Sequence, residues 1–166
     1  MKINKKGFTL VELLVVVLII GILATIAVPQ YQIAIAKSRL SAIKNIVTSI
    51  KNANEIYYLS NGKYSTTFDN LDISLPEKPT IDDNGWYVFT WGTCGGSQKS
   101  ISCVIPGWFS LQKYYSNSDE PNASTCLAVA DNITANKVCQ MDTGSKTPRW
   151  TGNSIGYRWN TYKYIK

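Results

Sequence analysis

The sequence contains no histidine. That removes at once the commonest general base and the commonest metal ligand. Charge is missing from one long stretch as well: residues 13–28 carry no acidic or basic side chain. No C-x-x-C pair is present either, so the thiols lack the spacing of a zinc site, and no metal or cofactor is expected. Nor does the chain hold a P-loop or a defensible pair of catalytic carboxylates. An exported enzyme is therefore the weakest of the functional classes to consider, and no catalytic residue is expected.

What is present is unevenly placed. The 166 residues have room for one domain plus an appendage. Apolar side chains crowd into residues 8–28, while the rest is polar, aromatic-rich and dotted with Asn, Ser and Thr. The formal charge of +6 comes partly from Lys2, Lys5 and Lys6; without them 17 − 3 = 14 basic groups face 11 acidic ones, about +3. The remaining basic groups are scattered, with no arginine or lysine stripe and no nucleic-acid fold signature. A solvated surface accounts for them.

Read as an ordinary signal peptide, the N-terminus has a hydrophobic region that is too long, although Thr25-Ile26-Ala27 fits a small-residue cleavage site. Read as a membrane span, residues 8–28 form 21 residues of helix, about 31 Å, close to the hydrocarbon thickness of a bilayer. Glu12 lies only one turn inside it. Near the interface it costs little, and a partner cation would give its charge a purpose. Positive charges before and after the span tie in number, but those of residues 2–6 lie closer, and a cysteine-rich head suits an oxidising compartment. This places the leader on the cytoplasmic side.

The run Lys5-Lys6-Gly7-Phe8-Thr9-Leu10-Val11-Glu12-Leu13-Leu14 resembles the processing site of type IV prepilins and of the related pseudopilins of type II secretion. The resemblance covers residues 5–29 strongly and the helix down to Gly62 more loosely. It implies that a prepilin peptidase/methyltransferase cuts after Gly7 and methylates the new amine of Phe8. It also makes Glu12 the fifth residue of the mature chain and Pro29 the helix-kinking proline of that family. Its further implications are a homopolymeric helical filament, passage through the inner membrane, and pilus assembly machinery with a platform protein and, indirectly, an assembly ATPase. Cleavage would leave a positive amine at the helix N-terminus, where a carboxylate is favoured. Glu12 of an incoming subunit could then pair with the Phe8 amine of one already in place.

Pro29 is expected to end or kink the first helical segment. Beyond it, Ile33, Ala36, Leu40, Ile43, Val47, Ile50, Asn54 and Tyr57 follow three- and four-residue steps, one stripe of a helix that packs on its own head. Ser60-Asn61-Gly62 reads as the stop. Helix from 8 to 60 would be 53 residues and about 80 Å long, more than a compact head can cover. The division expected is a leader at 1–7, a helix at 8–61 (hydrophobic at 8–28, amphipathic at 30–61) and a head at 62–166.

The head has about 105 residues, enough for a small core helped by cross-links. Its four cysteines, Cys94, Cys103, Cys126 and Cys139, allow three connectivities. Pairing neighbours closes two short loops with little rearrangement, each stabilising by somewhat under ~3 kcal/mol. Residues 64–73 read as a connector with a short turn. Asp82-Asp83-Asn84-Gly85 reads as a hairpin turn rather than a calcium loop, because the spacing is wrong for the EF-hand. Residues 86–91, 100–105 and 108–115 read as strands, 125–138 as holding a short helix capped by Asp131 or Asn132, and 155–159 with 162–165 as a final strand or hairpin. Tryptophans Trp86, Trp91, Trp108, Trp150 and Trp159 are expected to pack in the sheet. Asn122-Ala123-Ser124 and Asn132-Ile133-Thr134 match the glycosylation acceptor, a short pattern.

The fold class expected is α+β, a long N-terminal helix with an antiparallel sheet in the head. The expected function is a structural subunit of a type IV pilus at the cell surface. Motility, adhesion and DNA uptake are left undivided, and DNA or surface receptors are open as partners. A type II secretion pseudopilin in the periplasm is the rival. A non-polymerising anchored binding protein is the third alternative.

Overall fold

The structure, a computed structural model, describes residues 7–154 and 156–164. Residues 1–6 of the leader expected at 1–7, and the parts of the last strand or hairpin expected at Ile155 and Ile165, lie outside these described residues.

Helix α1 (Leu10–Asn61) runs unbroken for 52 residues. Thr9 caps its start, and Gly62 closes it with φ 69°, donating its amide to the Tyr58 carbonyl at 2.8 Å. Only glycine takes that left-handed turn without steric cost. Pro29 lies inside the helix and does not end it. The ring deletes a single N–H, and the ladder on either side carries the helix through. One turn earlier the Thr25 hydroxyl bends back to the Ile22 carbonyl at 2.7 Å.

The C-terminal half of α1 buries one face. Ala36, Leu40, Ile43, Val47, Ile50 and Asn54 are each at most 2% exposed. Ile33 and Tyr57 flank them, half-buried against the same core.

That face lies against an antiparallel sheet of eight strands. In chain order they are β1 (Thr80–Ile81), β2 (Tyr87–Phe89), β3 (Gly92–Gly96), β4 (Ser100–Ile105), β5 (Phe109–Tyr114), β6 (Ser124–Val129), β7 (Trp150–Ser154) and β8 (Tyr157–Lys163). Their spatial order is β1-β2-β3-β4-β5-β6-β8-β7. Helix α2 (Ile133–Thr143) connects β6 to β7 and packs on β6 and on α1. The chain is α+β. One row of facing residues crosses most of the sheet: Tyr87, Cys94, Cys103, Leu111, Cys126 and Tyr162. All six are buried and form the core floor under α1.

Both disulfides rise from this row. Cys94–Cys103 ties directly opposed residues of β3 and β4, with Cα atoms 4.0 Å apart. Cys126–Cys139 ties β6 to α2 across 5.6 Å.

Several expectations for the head need correction. The segment 86–91 yields only the three-residue β2, because the chain turns at Thr90-Trp91 into β3. β3 itself, Gly-Thr-Cys-Gly-Gly, has too little side chain to show a strand pattern. The first part of 125–138 is strand β6; the helix begins only at Ile133, with the Asn132 side chain accepting from the Ala135 amide at 2.9 Å. The last pair of segments takes the first of its two expected forms, a single strand, β8; only its partner β7 went unforeseen. Trp159 is buried in the head, but Trp150 is 54% exposed on edge strand β7.

The turn at residues 82–85 links β1 to β2. Its Asp82 carboxylate accepts from the amides of Asn84 and Trp86 at 2.9 and 2.8 Å. Gly85 takes φ 79°. Both bonds reach Oδ1, the local side-chain-to-backbone pattern of a turn.

Candidate assembly interface

The head covers only the later half of α1. Every residue from 7 to 32 is exposed, and the most apolar 18-residue window has a mean hydropathy of 3.0 with none of it buried. Residues 10–32 therefore project about 35 Å as a bare apolar rod. Leu10, Val11, Leu13, Leu14, Ile22, Leu23 and Ile26 are each more than 55% exposed. A water-soluble monomer rarely shows so large a contiguous apolar surface. Lipid or other apolar helices must cover it.

At the tip of the rod the local chemistry is specific. The Thr9 hydroxyl accepts from the Glu12 amide at 3.2 Å. In return the Glu12 Oε2 accepts from the Thr9 amide at 2.8 Å and from its hydroxyl at 2.7 Å. This is a reciprocal capping box, satisfying amides that the first turn leaves without partners. The pattern Thr-x-x-Glu at 9–12 carried the signal for it, a reading the membrane and pairing arguments overlooked. Both bonds that the carboxylate accepts reach Oε2, and Oε1 accepts none among the described residues. Gly7 and Phe8 precede the cap, with Phe8 73% exposed. The structure brings Phe8 and Glu12 to one end of the rod; Pro29 lies far along it.

Near its other end, α1 meets the head through a polar joint. Asn54 is 2% exposed, and its amide nitrogen donates to the Ser65 carbonyl and the Tyr115 hydroxyl, each at 2.8 Å. Its oxygen accepts from the Ser65 amide at 2.8 Å. Burial pushes the Tyr115 hydroxyl up to about 12, so it stays protonated. Next to it Tyr64 is sandwiched between Tyr58 and Tyr115, with ring centroids 4.5 and 4.0 Å away. Glu55 accepts from the Tyr64 hydroxyl at 2.7 Å, from Lys51 at 3.2 Å, and from the Ser116 amide and hydroxyl at 3.1 Å. Burial pulls the Glu55 carboxyl upward, but these bonds outweigh it and hold it below its ordinary value. A spacing rule flags Asn54 as one more stripe position; nothing in the sequence foretells that Ser65 would complete it.

Against known proteins, the model of the prokaryotic N-terminal methylation motif matches residues 2–28. The type IV major fimbrial protein FimA of Dichelobacter nodosus is 47% identical over 68 residues, 41% of this chain and 42% of its own length. The type IV major pilin protein PilE1 of Neisseria gonorrhoeae is 37% identical over 84 residues, 51% of this chain and 49% of its own. A fimbrial protein of Pseudomonas aeruginosa is 40% identical over 85 residues, 49% of this chain and 55% of its own. The chain spans about half the length of the curated relatives it matches. No solved structure matches. The motif match coincides with the start of the bare rod. Together with the matched relatives it supports a type IV pilin, the family to which residues 5–29 pointed.

Proposed function

We propose that the chain is a structural subunit of a type IV pilus, polymerised through its N-terminal helix into a cell-surface filament. The observation that carries this reading is the uncovered apolar rod at 10–32, set directly behind a methylation motif. In the maturation proposed, a prepilin peptidase removes residues 1–7 by cutting after Gly7 and methylates the amine of Phe8. The mature helix waits in the inner membrane, where lipid covers the rod. On assembly, identical rods cover one another instead, and the heads of residues 62–166 face outward.

Glu12 supplies register in this scheme. Its Oε1, which the Thr9 cap does not use, accepts from the Phe8 amine of a neighbouring subunit, a pairing much stronger in a low-dielectric medium than in water. Because an unpaired charge there is costly, subunits out of register are rejected. Pro29 marks the site where the rod can bend as it packs among its copies. The membrane platform protein and, through it, the assembly ATPase are the remaining partners. The names of the relatives, all pilins or fimbrial proteins, favour this over a secretion pseudopilus.

Shearing the cell surface tests the proposal. Long filaments composed of this chain, absent when its gene is deleted, are the expected result. Loss of protein secretion on deletion, with no surface filaments, would transfer the chain to the pseudopilus.

A further inference from the structure

Strand β5 alternates inward and outward, and its core-facing residues are Phe109, Leu111 and then Lys113. Phe109 and Leu111 are fully buried, so a lysine comes third in the series on the helix-facing side. It opens into a cavity of about 450 Å³, walled by Lys44, Lys113, Lys163, Glu120, Asn122 and Tyr164 among others.

The charges around this cavity do not balance. Lys44 pairs with Asp142, Lys51 with Glu55, and both Lys163 and Arg149 with the single carboxylate of Glu120. Lys113 has no acidic partner among the described residues. Among the described residues, five cations in or beside the cavity (Lys44, Lys51, Lys113, Arg149, Lys163) thus stand against three anions (Glu55, Glu120, Asp142), leaving 5 − 3 = +2. Burial, then the nearby charges of Lys51 and Lys44, push the Lys113 ammonium below its ordinary value, so the site carries unrelieved positive potential.

A second observation lies on the cavity wall. Asn122 has φ 57°, the one non-glycine residue with positive φ among the described residues. Its side-chain oxygen accepts from Lys51 at 2.9 Å, and its amide nitrogen has no protein acceptor among the described residues. A left-handed asparagine costs little, and the turn it makes sets Asn122 on the cavity wall, where its side chain holds Lys51.

We propose that the cavity between α1, the 120–124 loop and the end of β8 binds a phosphate group carrying two negative charges, with Lys113 as its principal ligand. A dianion matches the excess of two positive charges, and concave walls suit a small phosphate ester better than a flat polymer face. The site is independent of the filament reading, since it uses no residue of the rod.

Calorimetric titration of the full-length protein in detergent at neutral pH and fixed ionic strength tests this. Inorganic phosphate and glycerol 3-phosphate serve as probes, and acetate and chloride as comparators. Saturable phosphate binding is expected, weakened about tenfold or more by Lys113→Gln, kept by Lys113→Arg, and unchanged by Lys99→Gln at an exposed pair elsewhere. Phosphate should also raise the unfolding temperature of the wild type more than that of Lys113→Gln. Tighter binding of the ester than of the free ion would mark an ester as the ligand, and the reverse the free ion. Absence of saturable binding, equal binding by Lys113→Gln, or acetate binding as tightly as phosphate would overturn the proposal.

Discussion

Thr9 and Glu12 close on each other at the tip of the rod, each accepting from the other's amide, with Glu12 using Oε2 alone. The carboxylate is therefore held in place before any second subunit arrives. Its cap and its proposed pairing can be separated, because a glutamine also completes a capping box but carries no charge. Glu12→Gln should keep the helical content of the detergent-solubilised protein, by circular dichroism, while abolishing sheared filaments. Filaments at wild-type yield from this variant would remove the charge from assembly.

Asn54 is the most consequential polar side chain of the stem–head joint. Replacing it by leucine leaves the Ser65 amide and carbonyl buried without their partners. The cost should be about 2–3 kcal/mol, read from urea unfolding followed by tryptophan fluorescence. A change under about 0.5 kcal/mol would mean that water replaces the amide without loss.

Much of this arrangement was legible in the sequence, for definable reasons. Ala36, Leu40, Ile43, Val47 and Ile50 announce a buried helical face because a long helix repeats its spacing many times. β4 and β5 show the same advantage on a shorter scale, through runs rich in β-branched and aromatic residues. Thr9 and Glu12 were equally readable as a cap, yet the membrane argument drew attention to the charge alone. β3 and β7 were not readable: glycines and small polar residues join the sheet because their neighbours offer a free edge. The same holds for Ser65 on Asn54 and Glu120 on Lys163, which are long-range partnerships that no local pattern encodes. Ser60-Asn61-Gly62 marked the helix end correctly, while Pro29 leaves α1 unbroken, since one missing bond weighs little in a helix of 52 residues.

The two disulfides should differ in what they hold. On the loop-entropy model each contributes about 3 kcal/mol to global stability. Cys94–Cys103, however, joins strands already paired in register, whereas Cys126–Cys139 also ties α2 to the sheet. Replacing Cys126 and Cys139 by serine should speed hydrogen exchange through residues 133–143, while the same change at Cys94 and Cys103 leaves β3 and β4 nearly as protected. Equal local effects would contradict this.

Glu55 makes the joint sensitive to acid. Its folded-state carboxyl titrates below the ordinary value of 4.5, so the stabilisation it gives is complete above that value. As pH falls through the lowered pKa, that stabilisation is lost. The unfolding temperature of the wild type should therefore drop more steeply on acidification than that of Glu55→Gln, which starts lower at neutral pH. Parallel curves would show that Glu55 does not contribute to the acid limb.

The account as a whole requires that the apolar rod survive maturation and begin at a new amine. Intact-mass and N-terminal peptide mass spectrometry of protein taken from its own host tests this directly. A mature chain starting at Phe8 and carrying one methyl group on its amine is the predicted result. A chain starting after Ala27, stripped of the rod, or one still carrying residues 1–7 in the assembled state, would contradict it.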